Sequence, residues 1–218
     1  MKNNLTELVF ILDKSGSMSG LEGDTIGGFN SMIERQKKQE GECFVSTLLF
    51  DTEVKVIHDR EKLKEVRKIT DGDYVVGGCT ALLDAVGSAI SHIENIHKYA
   101  RSEDVPKRTM FVITTDGYEN ASKEYSFKTV KEMIGRKRKE KGWEFIFIGA
   151  NIDVAETAEN LGIAKEQAVN YHADKKGTGV VYDAVEKAVA CVRSRRPLEA
   201  SCWSEELRKD FKAREKNT

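Results

Sequence analysis

The chain has 218 residues, 39% of them hydrophobic and 33% charged, with 35 basic and 36 acidic side chains and a formal net charge of -1. That length buries a substantial core in one domain or at most two. Two prolines and 17 glycines exclude collagen-like, Pro-rich and low-complexity classes, and the balanced charge gives no reason to expect nucleic acid as the main partner. The cysteines, Cys43, Cys79, Cys191 and Cys202, have no short paired spacing, so a CxxC zinc knuckle or redox pair is absent. Cys43 and Cys191 sit in apolar contexts that read as free buried thiols. The opening MKNNLTELVF passes directly into a strand-like run, with no long apolar stretch and no cleavage-type site. No signal peptide or membrane span is expected, and the cytoplasm is the default location.

Leu5 to Leu12 forms the first strand, and its unbroken apolar run from Leu8 fits a strand buried on both faces, as in the middle of a parallel sheet. It stops at the polar loop Asp13-Lys14-Ser15-Gly16-Ser17. Thr25 to Gln39 spaces Ile26, Phe29, Met32 and Ile33 by three and four, which predicts an amphipathic helix capped by Asp24 or Thr25 and ended near Gly41. Glu42 to Phe50 and Glu53 to His58 are strands with only Asp51-Thr52 between them, so a tight hairpin makes one of them antiparallel, at an edge. Arg60 to Asp73 reads as a short helix or turn plus loop, anchored by Leu63, Val66 and Ile69. After Gly77-Gly78-Cys79-Thr80, a helix runs from Ala81 to Ile96 with Leu82, Val86, Ile90 and Ile93 inward.

A polar connection, Arg101 to Pro106, leads to a second buried strand, Thr109 to Thr115, stopped by Asp116-Gly117. There follow a helix (Phe127 to Lys141), a strand (Trp143 to Ala150), a short helix (Asp153 to Leu161), a weak strand (Ala168 to Tyr171) and a closing helix (Val180 to Arg193). This alternation predicts a three-layer, Rossmann-like α/β fold: a mostly parallel central sheet, one antiparallel edge strand, and helices on both faces. Residues 1–197 form one domain. Residues 198–218 are a charged tail in which Trp203, Leu207 and Phe211, four apart, predict a short helix docked on the body.

If the first and fourth strands are neighbours where strand order reverses, Asp13, Ser15, Ser17, Thr80 and Asp116 converge from three loops at the carboxyl ends of the strands. Two carboxylates among three hydroxyls suit a hard divalent cation such as magnesium. No histidine lies in these loops, which argues against zinc. A plainer alternative stands beside this one, because turns and helix caps favour the same residue types and Thr80 could cap its own helix.

Asp13-Lys14-Ser15-Gly16-Ser17 matches a DxSxS pattern, and Thr80 and Asp116 complete it. On these residues, over roughly Leu5 to Arg196, the chain resembles von Willebrand factor type A (vWA) domains of the standalone bacterial type with a metal-ion-dependent adhesion site. The resemblance implies that Ser15 and Ser17 bind metal directly. Asp13, Asp116 and Thr80 would bind it directly or through water. The implied cofactor is Mg2+ (or Mn2+ or Ca2+), and the implied partner is an unidentified protein that supplies an acidic residue. No enzyme activity, nucleic acid or membrane is implied, and the chain is expected as a monomer or weak homo-oligomer. Cys79 departs from the family, where small residues are more usual before the threonine.

Two other functions compete with metal-dependent binding. A magnesium-dependent phosphohydrolase with Asp13 as nucleophile is disfavoured, because Ser15 stands where haloacid-dehalogenase-like phosphatases have their acid. A structural or oligomerising domain with a vestigial metal site is the other. Lys14, Tyr118, Glu119 and Asn120 are candidate rim contacts for a partner. The run Arg136-Lys137-Arg138-Lys139 reads as a solvated helix face, and His58, His92, His97 and His172, which form no ligand spacing, read as surface residues.

Overall fold

The computed structural model describes residues 5–215; the domain limits placed at residues 1 and 218 lie outside that range. Six strands form one sheet: β1 (Thr6–Asp13), β2 (Cys43–Phe50), β3 (Val54–Lys62), β4 (Arg108–Thr115), β5 (Glu144–Gly149) and β6 (Ala168–Asn170). Their order is β3-β2-β1-β4-β5-β6, with β2 and β3 antiparallel and the other neighbours parallel. Helices α1 (Glu22–Lys37), α2 (Leu82–Tyr99), α3 (Phe127–Lys141), α4 (Val154–Leu161) and α5 (Lys175–Arg193) are followed by α6 (Ala200–Trp203) and α7 (Glu205–Glu215). The expected three-layer α/β architecture is therefore present. Among the described residues, no helix is long and apolar enough to cross a membrane.

The middles of the central strands, Leu8–Leu12 of β1 and Met110–Ile113 of β4, are apolar at every position because both faces are covered. Leu8, Phe10 and Leu12 of β1 join Met110 and Val112 of β4 in the core under α1 and α5. The alternate residues, Val9, Ile11, Phe111 and Ile113, join the core under α2, α3 and α4. Side chains two apart in a strand share a face, so one apolar run serves two cores.

Several boundaries differ from the expectation. β3 continues through Arg60 to Lys62 rather than stopping at His58; the register against β2 shifts there, and Arg60 adopts a positive φ of 49°. The following segment, residues 63–81, takes the turn-plus-loop form of the two expected, with turns at 63–65 and 71–73. Leu63, Val66, Ile69 and Tyr74 pin it to the α1 side, and the Asn30 side chain gives and takes hydrogen bonds with the Ile69 backbone at 2.8 and 2.9 Å. Helix α1 starts at Glu22, so Asp24 and Thr25 lie within its first turn and neither caps it. Helix α5 starts at Lys175, where Asp174 accepts the Gly177 amide at 2.8 Å; Gly177 and Gly179 dilute the apolar signal of that first turn.

The histidine and lysine readings also need correction. His58 is fully buried, 2.9 Å from the Thr47 hydroxyl and stacked on Phe29, and burial pushes its imidazole below the usual range. His97 bonds the buried Glu7. Lys137 is buried against Trp143 and pairs with Glu94 of α2, so the basic run is not wholly solvated. In the tail, Trp203 and Leu207 are buried, and the Trp203 indole donates to Gln167 Oε1 at 3.1 Å. Phe211 stacks on His172, with ring centres 4.6 Å apart.

Candidate metal centre

Strand order reverses between β1 and β4: the chain leaves β1 toward β2, and leaves β4 toward β5. Their loops therefore part and open a crevice at the carboxyl ends of the strands. Asp13 is the last residue of β1, and Asp116 follows Thr115 at the end of β4. The loop before α2 closes a third side. Gly16 donates its N–H to the Gly78 carbonyl at 3.2 Å, and Gly77 donates to the Lys14 carbonyl at 3.0 Å. Gly78 has a φ of 69°, a conformation that glycine adopts without steric cost.

All five residues meet there. Asp13 is only 1% exposed; its Oδ1 accepts the Ser15 amide at 2.7 Å and its Oδ2 accepts the Thr115 hydroxyl at 2.5 Å. Its carbonyl oxygen accepts the Tyr74 hydroxyl. Ser15 Oγ lies 3.1 Å from Ser17 Oγ, which donates to Asp116 Oδ1 at 2.5 Å. A methyl group at Gly117 would stand 3.1 Å from Thr80 Oγ1 and 3.2 Å from Ser17 Oγ, so these hydroxyls flank a space that only glycine leaves open. Asp116 is also buried, and among the described residues its Oδ2 has no hydrogen-bond partner.

Burial pushes the Asp13 carboxyl above its ordinary range despite the hydrogen bonds from Ser15 and Thr115. Burial likewise raises Asp116, and the nearby Asp13 charge adds to the effect while the Ser17 hydroxyl opposes it. Two adjacent carboxylates are thus short of positive charge. Among the described residues, no group of three His, Cys, Asp or Glu side chains is placed to hold a metal ion. A cation here would depend on hydroxyls beside the two carboxylates, an all-oxygen set that fits a hard divalent ion.

Helix capping does not account for the Ser15 and Thr80 hydroxyls, although the Asp13 bond to the Ser15 amide is one that a turn makes by itself. Ser15 makes no side-chain bond to the 3-10 turn Gly16–Met18, and no side chain at the α2 N-cap position, Ala81, serves that helix. The free amides of Leu83 and Asp84 are taken by Glu119 Oε2 at 2.9 Å and Ser122 Oγ at 3.0 Å, so the Thr80 hydroxyl is not needed for them.

The expected rim residues divide. Tyr118 is 60% exposed, its hydroxyl accepting the Asp153 amide at 3.2 Å, whereas Glu119 turns inward on α2 and Lys14 pairs with Asp51. Cys79 is exposed, and its amide donates to Thr52 Oγ1 at 2.9 Å. Sequence reasoning missed Thr115, Gly117 and Tyr74. The first two flank Asp116 in the same Thr-Asp-Gly run and were open to inspection; nothing local marks Tyr74.

No protein-family model matches the chain, and no curated protein matches it in sequence. Solved structures do. The PilB minor pilin from Streptococcus sanguinis superposes with a TM-score of 0.56 at 13% identity, over 84% of this chain and 61% of the pilin. Proximal thread matrix protein 1 from the mussel byssus, with a zinc-occupied MIDAS motif, gives 0.56 at 15% identity, over 85% of this chain and 46% of that one. A von Willebrand factor type A protein from Catenulispora acidiphila gives 0.52 at 13% identity, over 84% and 42%. The chain spans less than two-thirds of each. Sheet order, helix placement and these likenesses agree: the chain has the von Willebrand factor type A fold.

Proposed function

We propose that this protein is a metal-dependent protein-binding module. Asp13, Ser15, Ser17, Thr80 and Asp116 hold a divalent cation, Mg2+ or else Mn2+ or Ca2+, and an acidic residue of a protein partner completes its shell. Asp116 carries the proposal, because its Oδ2 is buried without a partner beside hydroxyls that face an open space. An unmet buried acceptor costs about 1–3 kcal/mol, more when charged, which a cation offsets. The zinc-occupied MIDAS motif in the byssus protein of the same fold supports the choice of a divalent ion.

When bound, a cation supplies positive charge and a position open to an external oxygen anion. Asp13 is fixed by Ser15 and Thr115, so one carboxylate is already oriented. Three of the five donors are neutral hydroxyls, which leaves an incoming carboxylate with something to gain. Attack on phosphate by Asp13 gains no support, since both its oxygens already accept hydrogen bonds and the group is buried. Four free thiols suit a reducing, cytoplasmic setting.

Calorimetric titration with Mg2+ and Mn2+, with and without acetate or a glutamate-containing peptide, tests the proposal on wild type and Asp13→Ala. Binding that strengthens with carboxylate and disappears in the variant is expected. Absence of binding at millimolar metal, with or without carboxylate, overturns it.

A further inference from the structure

The segment from Asp116 to Ser126 leaves β4 and folds back over the start of α2, and Asn120 holds the Thr80 backbone there through two hydrogen bonds. Asn120 Oδ1 accepts the Thr80 amide at 2.9 Å, and the Asn120 amide donates to the Thr80 carbonyl at 3.0 Å. One residue thus fixes both sides of the Thr80 backbone and leaves its hydroxyl to face Gly117 alongside Ser17. The rest of the segment is tied down separately. Glu119 and Ser122 take the Leu83 and Asp84 amides, and the Asp84 carboxylate accepts the amides of Lys123, Glu124 and Tyr125 at 2.8, 2.9 and 2.9 Å.

Asp116 and Thr80 come from different loops, yet they belong to one hydrogen-bonded body. We infer that Asn120 is a positioning residue that sets the Thr80 hydroxyl relative to Asp116, and so governs how tightly a cation is held and how many waters it keeps. The inference rests on the metal-binding proposal above. A hydroxyl held in place replaces a water at the ion without the cost of ordering the loop on binding. Asn120 is itself exposed, and Glu119, Ser122 and Asp84 hold the segment without its side chain, so its replacement leaves the fold intact.

Mn2+ is the probe, applied to the full chain. Calorimetry gives its affinity, and paramagnetic resonance in 17O-enriched water counts the waters on the bound ion. Asn120→Ala is expected to weaken Mn2+ binding about tenfold and to add a water, with the metal-free protein still unfolding in one cooperative transition, its midpoint lower by only a few degrees. Asn120→Asp keeps an acceptor for the Thr80 amide and is expected to restore the wild-type water count, which its added charge alone would not do. Unchanged affinity and water count in Asn120→Ala, or a lost contact that Asn120→Asp does not restore, overturns the role of Asn120. Failure of the wild type to bind Mn2+ defeats the metal site itself, a separate result.

Discussion

The two ends of β1 carry buried carboxylates in opposite conditions. At its start, Glu7 is fully buried with both oxygens engaged: Oε1 accepts from Arg60 at 2.5 Å, and Oε2 bonds His97. The Arg60 guanidinium also lies 4.6 Å from the centre of the Phe44 ring. At the other end, Asp13 and Asp116 sit side by side, and among the described residues no cationic side chain pairs with either and one Asp116 oxygen has no partner. A buried carboxylate paired within the chain serves the fold, whereas one without a countercharge is the feature on which the proposed cation site rests.

Breaking the matched end should have the largest effect. Glu7→Ala leaves Arg60 and His97 without their anion and is expected to cost about 3–5 kcal/mol in urea unfolding, with cation affinity unchanged in the folded fraction. A cost below about 1 kcal/mol would mean the two ends are not different in kind. Next comes Asp116→Asn. Saturating cation, at about 100 times its dissociation constant, should stabilise the wild type by about 2.7 kcal/mol and the variant hardly at all. Without metal the variant should equal or exceed the wild type by up to about 1 kcal/mol, because it removes a desolvated charge beside Asp13. Thermal unfolding with and without chelator reads both quantities.

Gly117→Ala sharpens the comparison without touching a carboxylate. Its methyl enters the space between Thr80 and Ser17 and should weaken the cation about tenfold by calorimetry, or about 1.4 kcal/mol. The smallest expected effect is at Asp73, whose charge is met by the chain nearer the surface. The Arg67 guanidinium, then the Thr70 hydroxyl and amide, hold its carboxyl well below the usual carboxylate range. A depressed native value means the contribution is present above the unfolded carboxylate value and is lost as pH falls toward the native one. Asp73→Asn should therefore cost about 1 kcal/mol at neutral pH and flatten the acid side of the stability curve between those two values.

What could be read from the sequence follows the reach of each interaction. The β1 and β4 runs announce their double burial locally, and Asp13, Ser15, Ser17 and Asp116 sit where those runs stop. Thr80 needed the guess that β1 and β4 are neighbours, which the parallel pairing of Leu8 with Met110 and Phe10 with Val112 bears out. The misreadings involve partners distant in sequence or backbone that local pattern cannot show. His58 is buried because the hairpin sets it beside Thr47, and Lys137 because α2 brings Glu94 to it. Arg60 to Lys62 look like a loop because they are charged, yet an edge strand tolerates such side chains on its open side. Glu119 looked like a rim residue because nothing nearby in sequence shows the start of α2, whose Leu83 amide its carboxylate accepts.

The tail has a consequence for how the protein behaves in a crowd. The β6 strand ends the sheet with carbonyl groups that a second molecule could pair with. Arg208 of α7 reaches across and donates to the carbonyls of Glu166 and Ala168 at 3.0 Å each, while Trp203 holds the neighbouring Gln167. A guanidinium thus occupies the carbonyl of the first β6 residue, Ala168, and that of Glu166 in the turn before it. Arg208→Ala should leave the monomer folded but raise light scattering as protein concentration increases, the outcome expected if the tail guards this edge against self-association.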